Sequence, residues 1–355
     1  MVRDVFRRLV LWSVLAASTT GANCAFATGE AVNGFPNWSE RVLIEWMNRA
    51  RSDPQADLAG CPSGHCLESA CYSTASPPRY ETDDLEHSSR YHSAEMELDG
   101  FFDHWSECTL VSNIATLYLS QPQQCDGTAA CACVGGARNA GFGNGTDPFT
   151  RMGFFGTGGG AAGEIIAAGY QGPDAAFYGW LYEQADSSTC VFDEANGHRY
   201  LILTDGNGQN AGAGYVPGGD YGTYATMDFA GNASAQPKIP SGAHYPEQAA
   251  SVDVWANWYD SAGPSVHQID VDGTCTNLSL ARGSQANGAW HATISGVGSG
   301  CHRYFFSFED SKGQTVFYPT TGSLAIGNGG AQCPDWSTTM PAPCVNEIFA
   351  NGFEL

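Results

Sequence analysis

Positive charge is what this 355-residue chain has least of. It carries 15 lysines and arginines against 37 aspartates and glutamates, for a formal charge of −22. Lys238 and Lys312 are its only lysines. So acidic a chain is repelled by nucleic acid and by anionic membrane surfaces. Long apolar runs are also missing. "LVLWSVLAAS" near the start is shorter than the ~20 residues needed to span a bilayer, and no later stretch approaches that length. No C-x-x-C pair offers a zinc ribbon, Cys131-Ala-Cys133 being the nearest approach. There is no G-x-S-x-G elbow, no H-E-x-x-H and no Gly-Lys-Ser/Thr. These absences exclude the hydrolase-fold serine enzymes, the zincins and the P-loop proteins.

What is present points to export. Arg3, Arg7 and Arg8 precede the apolar run, and Ala25-Phe26-Ala27 is a small-x-small cleavage site, so residues 1–27 read as a signal peptide and 28–37 as a linker. Its removal takes away three arginines and one aspartate and leaves the chain more acidic still. Cys24 leaves with it. Of the thirteen cysteines, eight then lie between Cys61 and Cys190, and four (Cys275, Cys301, Cys333, Cys344) lie near the end. Even counts in both regions are what domain-local disulfides in an oxidising compartment require. A secreted, extracellular protein with no transmembrane segment is therefore expected. Spacing alone leaves connectivity open; Cys275 with Cys301, and a small Cys333–Cys344 loop, are candidate pairs.

The chain divides by pattern into an α+β region and an all-β region. "NWSERVLIEWMNRARSDP" opens with Asn37 and Glu40 at capping-box spacing and presents Val42, Leu43, Trp46, Met47 and Ala50 on one helical face. A second helix is predicted from Asp83 to Leu98, stopping at Gly100, with His92 turned into the core. Residues 106–147, with four cysteines, read as a disulfide-pinned excursion. "PDAAFYGWLYEQAD" at 173–186 reads as a third helix that includes Glu183. "AGAGYV" and "YGTYATMDFA" read as strands joined by a "PGGD" hairpin. Residues 232–245 look like a linker. From 246 to 330, short alternating runs between Gly, Asp and Ser turns predict a small β-sandwich of immunoglobulin-like type. Residues 331–355 form the expected tail, ending in "IFANGFEL".

"GGGAAGEIIAAGY", Gly158–Tyr170, is a Gly/Ala-rich stretch around one carboxylate, Glu164. Lacking lysine and a convincing preceding strand, it is no phosphate or dinucleotide loop; it reads as a turn that delivers Glu164 into a pocket. "DGNGQN", 205–210, lacks the glycine and glutamate of a calcium loop and reads as a polar turn. What remains is a dispersed set: His104, Glu164, Glu183 and His198.

"FFDHW", "AAGEIIAAGY", "WLYEQ", "NGHRYLIL" and "GAGYV…YATMDF" follow one another in the order and character of the CAP superfamily, the cysteine-rich secretory, antigen 5 and pathogenesis-related 1 proteins, with secreted bacterial SCP-like members. "LIEWMNRARSDP" and "FTRMGFF" resemble further segments of the bacterial members. The resemblance covers residues 38–231. It implies a three-layer α-β-α sandwich with a central cleft. It further implies that His104 and His198 bind zinc or another divalent metal, and that Glu164 and Glu183 are the acids of the cleft, candidate general bases in a metal-assisted reaction. Trp180 and Glu183 match the W-Y-x-E motif. Gly163-Glu164-Ile165 stands where the family has G-E-N, so Ile165 departs from the pattern. The resemblance leaves three functional classes open: an extracellular binding or effector module for lipid, sterol, peptide or protein; a metal-assisted peptidase or esterase; and a structural surface protein with a vestigial cleft.

Overall fold

The computed structural model describes residues 30–342, apart from 33, 35, 139–142, 158–159, 185–187, 194, 207 and 232–235. The expected signal peptide, Cys344 and the terminal "IFANGFEL" lie outside the described residues.

The first helix starts where its capping box places it. Asn37 Oδ1 accepts from the Glu40 N–H at 3.1 Å, and Glu40 Oε2 accepts from the Asn37 N–H at 2.6 Å. Helix α1 (Trp38–Ser52) follows, then α2 (Pro54–Leu58), capped by Asp53. Strand β1 (Tyr80–Glu81) leads into α3 (Asp83–Asp99), which ends on Gly100 in the left-handed region. The disulfide-pinned segment holds three short helices, α4 (Ile114–Ser120), α5 (Pro122–Cys125) and α6 (Ala129–Ala132). Next come α7 (Pro148–Phe155), β2 (Ala161–Ala168), α8 (Pro173–Leu181), α9 (Gly197–Leu203) and the hairpin β3 (Asn210–Gly218) and β4 (Gly222–Ala230).

These strands form one sheet in the order β1-β3-β4-β2, with only β1 and β3 parallel. Alternation along each strand sorts its residues onto two faces. Ile165 and Ala167 of β2, Ala211 and Ala213 of β3, and Met227 and Phe229 of β4 share a core with α1, α8 and α9. On the opposite face α3 lies almost on the backbone of β3: a Cβ at Gly212 would fall 2.2 Å from Glu86 N, and one at Gly214 2.3 Å from Arg90 N. Helices thus cover both faces of the sheet. Residues 106–147 are pinned by Cys108–Cys133 and Cys125–Cys131. Their Leu110, Ile114 and Tyr118 pack with Tyr91 of α3 and Phe155 of α7.

The second half contains β5 (Gly242–Tyr245), β6 (Ser251–Tyr259), β7 (Val266–Val271), β8 (Thr274–Asn277), β9 (Ser279–Gly283), β10 (Asn287–Ser295), β11 (Gly300–Glu309), β12 (Thr315–Tyr318), β13 (Ser323–Asn328) and β14 (Trp336–Ser337). One sheet runs β5-β6-β10-β9; the other runs β14-β13-β11-β7-β8, with β12 also paired to β11. Their inner faces close over one apolar core, in which Trp258 stacks on Phe308 at 5.7 Å.

Three expectations are corrected here. The stretch read as a linker, 232–245, ends in strand β5, because Gly242–Tyr245 pairs with Asp253–Ala256 of β6. The tail read from 331 onward begins with ordered structure, since β14 pairs with β13 and Asp335 binds Arg41. Cys301 pairs with Cys333, so neither the Cys275–Cys301 bridge nor the Cys333–Cys344 loop forms. Cys71–Cys190 and Cys61–Cys66 complete the five disulfides among the described residues. No described helix is long and apolar enough to cross a membrane.

The two halves meet on α1. Trp38 donates its indole N–H to the His244 carbonyl at 2.8 Å and stacks on Tyr245 at 6.0 Å. Trp46 meets Trp255 edge-on at 6.3 Å. Between them sits Glu45, wholly buried, accepting from Ser241 Oγ and Asn257 Nδ2 at 2.7 Å each. Burial raises its carboxyl from 4.5 to about 7, against the opposing pull of those two donors. A raised folded-state value favours the protonated form, so this contribution to stability is complete below the unfolded value of 4.5 and is lost as pH rises through about 7. We expect the melting temperature to fall between pH 5 and pH 8. We further expect Glu45→Gln to remove on the order of 2–3 kcal/mol of that pH dependence, as measured by denaturant unfolding at both pH values.

Candidate functional site

The cleft opens along β2, the edge strand of the first sheet. Its volume is about 620 Å³, and both His104 and His198 line it. Tertiary structure thus brings together histidines that lie far apart in the chain.

Glu164 lies on strand β2, not on a turn. Gly163, Ile165 and Ala167 turn one way and Glu164 the other, as strand alternation requires. Gly163 allows α9 to approach closely: a Cβ there would fall 2.8 Å from Leu201 Cδ2. Ile165 is fully buried in the apolar layer with Phe177, Ile202 and Phe229. At this position an asparagine would bury an amide among hydrocarbon, which costs free energy unless the amide is paired. Isoleucine at 165 therefore suits the apolar layer in which it lies.

His104 Nδ1 lies 2.8 Å from Glu164 Oε1. Behind this pair stands Arg151 of α7, fully buried. It forks to Glu164 Oε2, to the His104 carbonyl at 3.2 Å from both terminal nitrogens, and to Ser106 Oγ at 3.0 Å. Ser106 Oγ in turn donates to Glu95 Oε1 at 2.6 Å. Burial works to raise the Glu164 carboxyl, but Arg151, His92 and His104 outweigh it and hold the group at about 2. Asp228, opposite Glu164 in the β2–β4 ladder, responds the other way: burial and the neighbouring Glu164 charge push it well above the usual carboxylate range. As expected, His92 is a satisfied core histidine. Its Nδ1 meets Glu95 at 2.5 Å and its Nε2 donates to the Asp103 carbonyl at 2.8 Å, which anchors the loop carrying His104.

His198, on α9, forms the second pair: its Nδ1 lies 2.8 Å from Glu183 Oε2. Glu183 is not on the third helix, which ends at Leu181. The buried guanidinium of Arg199 takes the carbonyls of Leu181 and Glu183 at 2.7 and 2.8 Å, in place of the N–H groups that a longer helix would supply. The Arg199 N–H also donates to Glu183 Oε1 at 2.9 Å. Trp180, nearly fully buried, donates its indole N–H to the Ile166 carbonyl at 2.9 Å and ties α8 to the edge of β2.

The two halves of the site are alike in plan. Each carboxylate stands behind a histidine rather than on the cleft wall, and it holds the imidazole proton at Nδ1. That leaves Nε2 as the ring nitrogen not engaged by the carboxylate. His104 and His198 are 43% and 34% exposed, whereas the side chain of Glu164 is 1% exposed. Among the described residues no three or more His, Cys, Asp or Glu side chains converge as a metal-ligand group. Two imidazoles, each oriented by a carboxylate, thus line one cleft. Among the described residues, none from 106–147 lines the cleft.

Sequence reading missed Arg151. Its signal was one guanidinium inside the otherwise apolar "PFTRMGFF", since a lone charge on a packed helix requires a buried partner. Comparison of the chain with protein-family models and with curated protein sequences gave no match.

Arg151→Met would leave Glu164 buried without its counter-charge. We expect a loss of about 3–5 kcal/mol in denaturant unfolding, whereas His104→Ala, at a half-exposed position, costs less than about 1 kcal/mol.

Proposed function

We propose that this chain is a secreted CAP-type protein whose cleft binds a divalent metal weakly through His104 and His198, and that it acts as an extracellular binding module. On this reading the first half is the CAP α-β-α sandwich and the second an immunoglobulin-like sandwich. The observation that carries the proposal is the pair of carboxylate-backed histidines, His104–Glu164 and His198–Glu183, on one cleft. Ligating histidines characteristically present their second ring nitrogen to a carboxylate. Helices on both faces of the first sheet, the order of the motifs and the disulfides support the wider assignment. Two imidazoles hold zinc less firmly than the three or four protein ligands of established sites, so the metal would exchange readily.

A binding role is favoured over hydrolysis by the state of the acids. Glu164 has both oxygens engaged, by His104 and Arg151, and is shielded from the cleft. A general base must reach the proton that it removes.

Zinc titration by calorimetry tests the proposal. We expect saturable binding in the micromolar to millimolar range, lost in the His104→Ala/His198→Ala double variant and weakened about 10- to 100-fold by Glu164→Gln. Unchanged binding in the double variant would remove the metal assignment.

A further inference from the structure

Beyond its histidines, the cleft is walled by aromatic rings that packing holds open to solvent. Tyr221 is 51% exposed, yet its ring is held by Phe102 at 6.1 Å and edge-on by Tyr224 at 5.7 Å. Tyr170 is 38% exposed and its phenol end packs against α8 at Gly179, where a Cβ would fall 2.3 Å from Tyr170 Cζ. Its backbone is fixed as well, since Thr223 Oγ1 donates to the Tyr170 carbonyl at 2.6 Å. Both rings line the same cleft as Asp103, His104 and His198. Both rings are exposed while packed against neighbouring groups, which lowers the ordering entropy that a stacking ligand costs.

We propose that this cleft receives a neutral saccharide, with sugar rings laid on Tyr170 and Tyr221 and hydroxyl groups directed to Asp103 and the two imidazoles. The chemistry of the lining selects this class. Ile166 is the one large aliphatic side chain among the lining residues, and Phe102, Tyr170, Trp180 and Tyr221 make the apolar wall aromatic rather than aliphatic. Among the described residues no lysine or arginine lines the cleft, Asp103 does, and the chain carries a charge of −22; an anionic ligand is therefore disfavoured. A sugar is apolar on its C–H faces and presents hydroxyls at its edge, each both donor and acceptor. Phenol, imidazole and carboxylate groups around aromatic faces match that pattern.

This inference rests on the reading that the cleft is the functional site, but it does not require the metal. The test is calorimetric titration of the full chain with neutral β-1,4-linked glucose and N-acetylglucosamine oligomers, once with chelator and once with zinc. Saturable binding is expected, weakened about tenfold by Tyr221→Ala and by Tyr170→Ala. Gly179→Ala, which displaces the Tyr170 ring, is expected to weaken it as well. The two tyrosines are exposed, so their variants stay folded, and both retain zinc binding. Absence of binding by every oligomer overturns the proposal, as does binding indifferent to both tyrosine variants or preference for a fatty-acid probe. His104→Ala/His198→Ala is expected to weaken saccharide binding in the presence of chelator, and unchanged saccharide binding in that variant would overturn the assignment of hydroxyls to the imidazoles. Saccharide binding in a chain that takes up no zinc would leave this proposal standing and remove the metal assignment.

Discussion

The structure depends on the burial of α1. Of its fifteen residues, all but one are buried, and among them are Glu40, Arg41, Glu45, Arg49 and Arg51. Charges taken out of water are tolerated only when paired and hydrogen-bonded. Each of these finds its partner on a different element: Arg90 for Glu40, Asp335 for Arg41, Ser241 and Asn257 for Glu45, Asp57 for Arg49 and Asp205 for Arg51. The helix is thus the common wall of both halves. Arg41 reaches the residues after β13 and Glu45 reaches β6, while Arg51 reaches carbonyls at the C-terminal end of α9. The sandwich is therefore clamped to the first sheet rather than tethered to it.

The same logic governs the cleft. A histidine at the surface is mobile unless its ring is held, and here each ring is held by a carboxylate that is itself held by an arginine. Arg151 grips Glu164 through its side chain and His104 through its main chain, so one buried guanidinium sets both members of the pair. Arg199 does this for Glu183 through its own backbone N–H and through the carbonyls at the end of α8. The two pairs differ in depth. Glu164 is sealed between α7 and the sheet, whereas Glu183 retains some contact with solvent. The orientation of the two rings is thereby set by groups that stand behind the cleft wall.

Much of the local structure was legible because local chemistry imposes it. Asn37 with Glu40 specifies a helix start whatever surrounds it, Gly100 accepts a left-handed stop, and the "PGGD" turn joins two alternating strands. The readings that failed involve residues whose state depends on distant contacts. "AAGEIIAA" is too small-residue-rich to show a strand pattern, yet it is β2, because the sheet edge and α9 need a backbone with little side chain. Glu183 lies in a helical-looking run that stops early because Arg199, sixteen residues later, captures its carbonyls. Gly242–Tyr245 sits in a linker-like composition, and only the open edge of β6 makes it a strand.

By itself the sequence determined the charge balance, the cysteine count and the capped first helix. These follow from composition and from interactions that span three or four residues. Only the tertiary structure decided which acid stands behind which histidine, which cysteines join, and that a helix rich in charge lies in the middle of the molecule. Those outcomes turn on desolvation and on contacts between segments far apart in the chain, and no local pattern encodes the partner that a buried charge will meet.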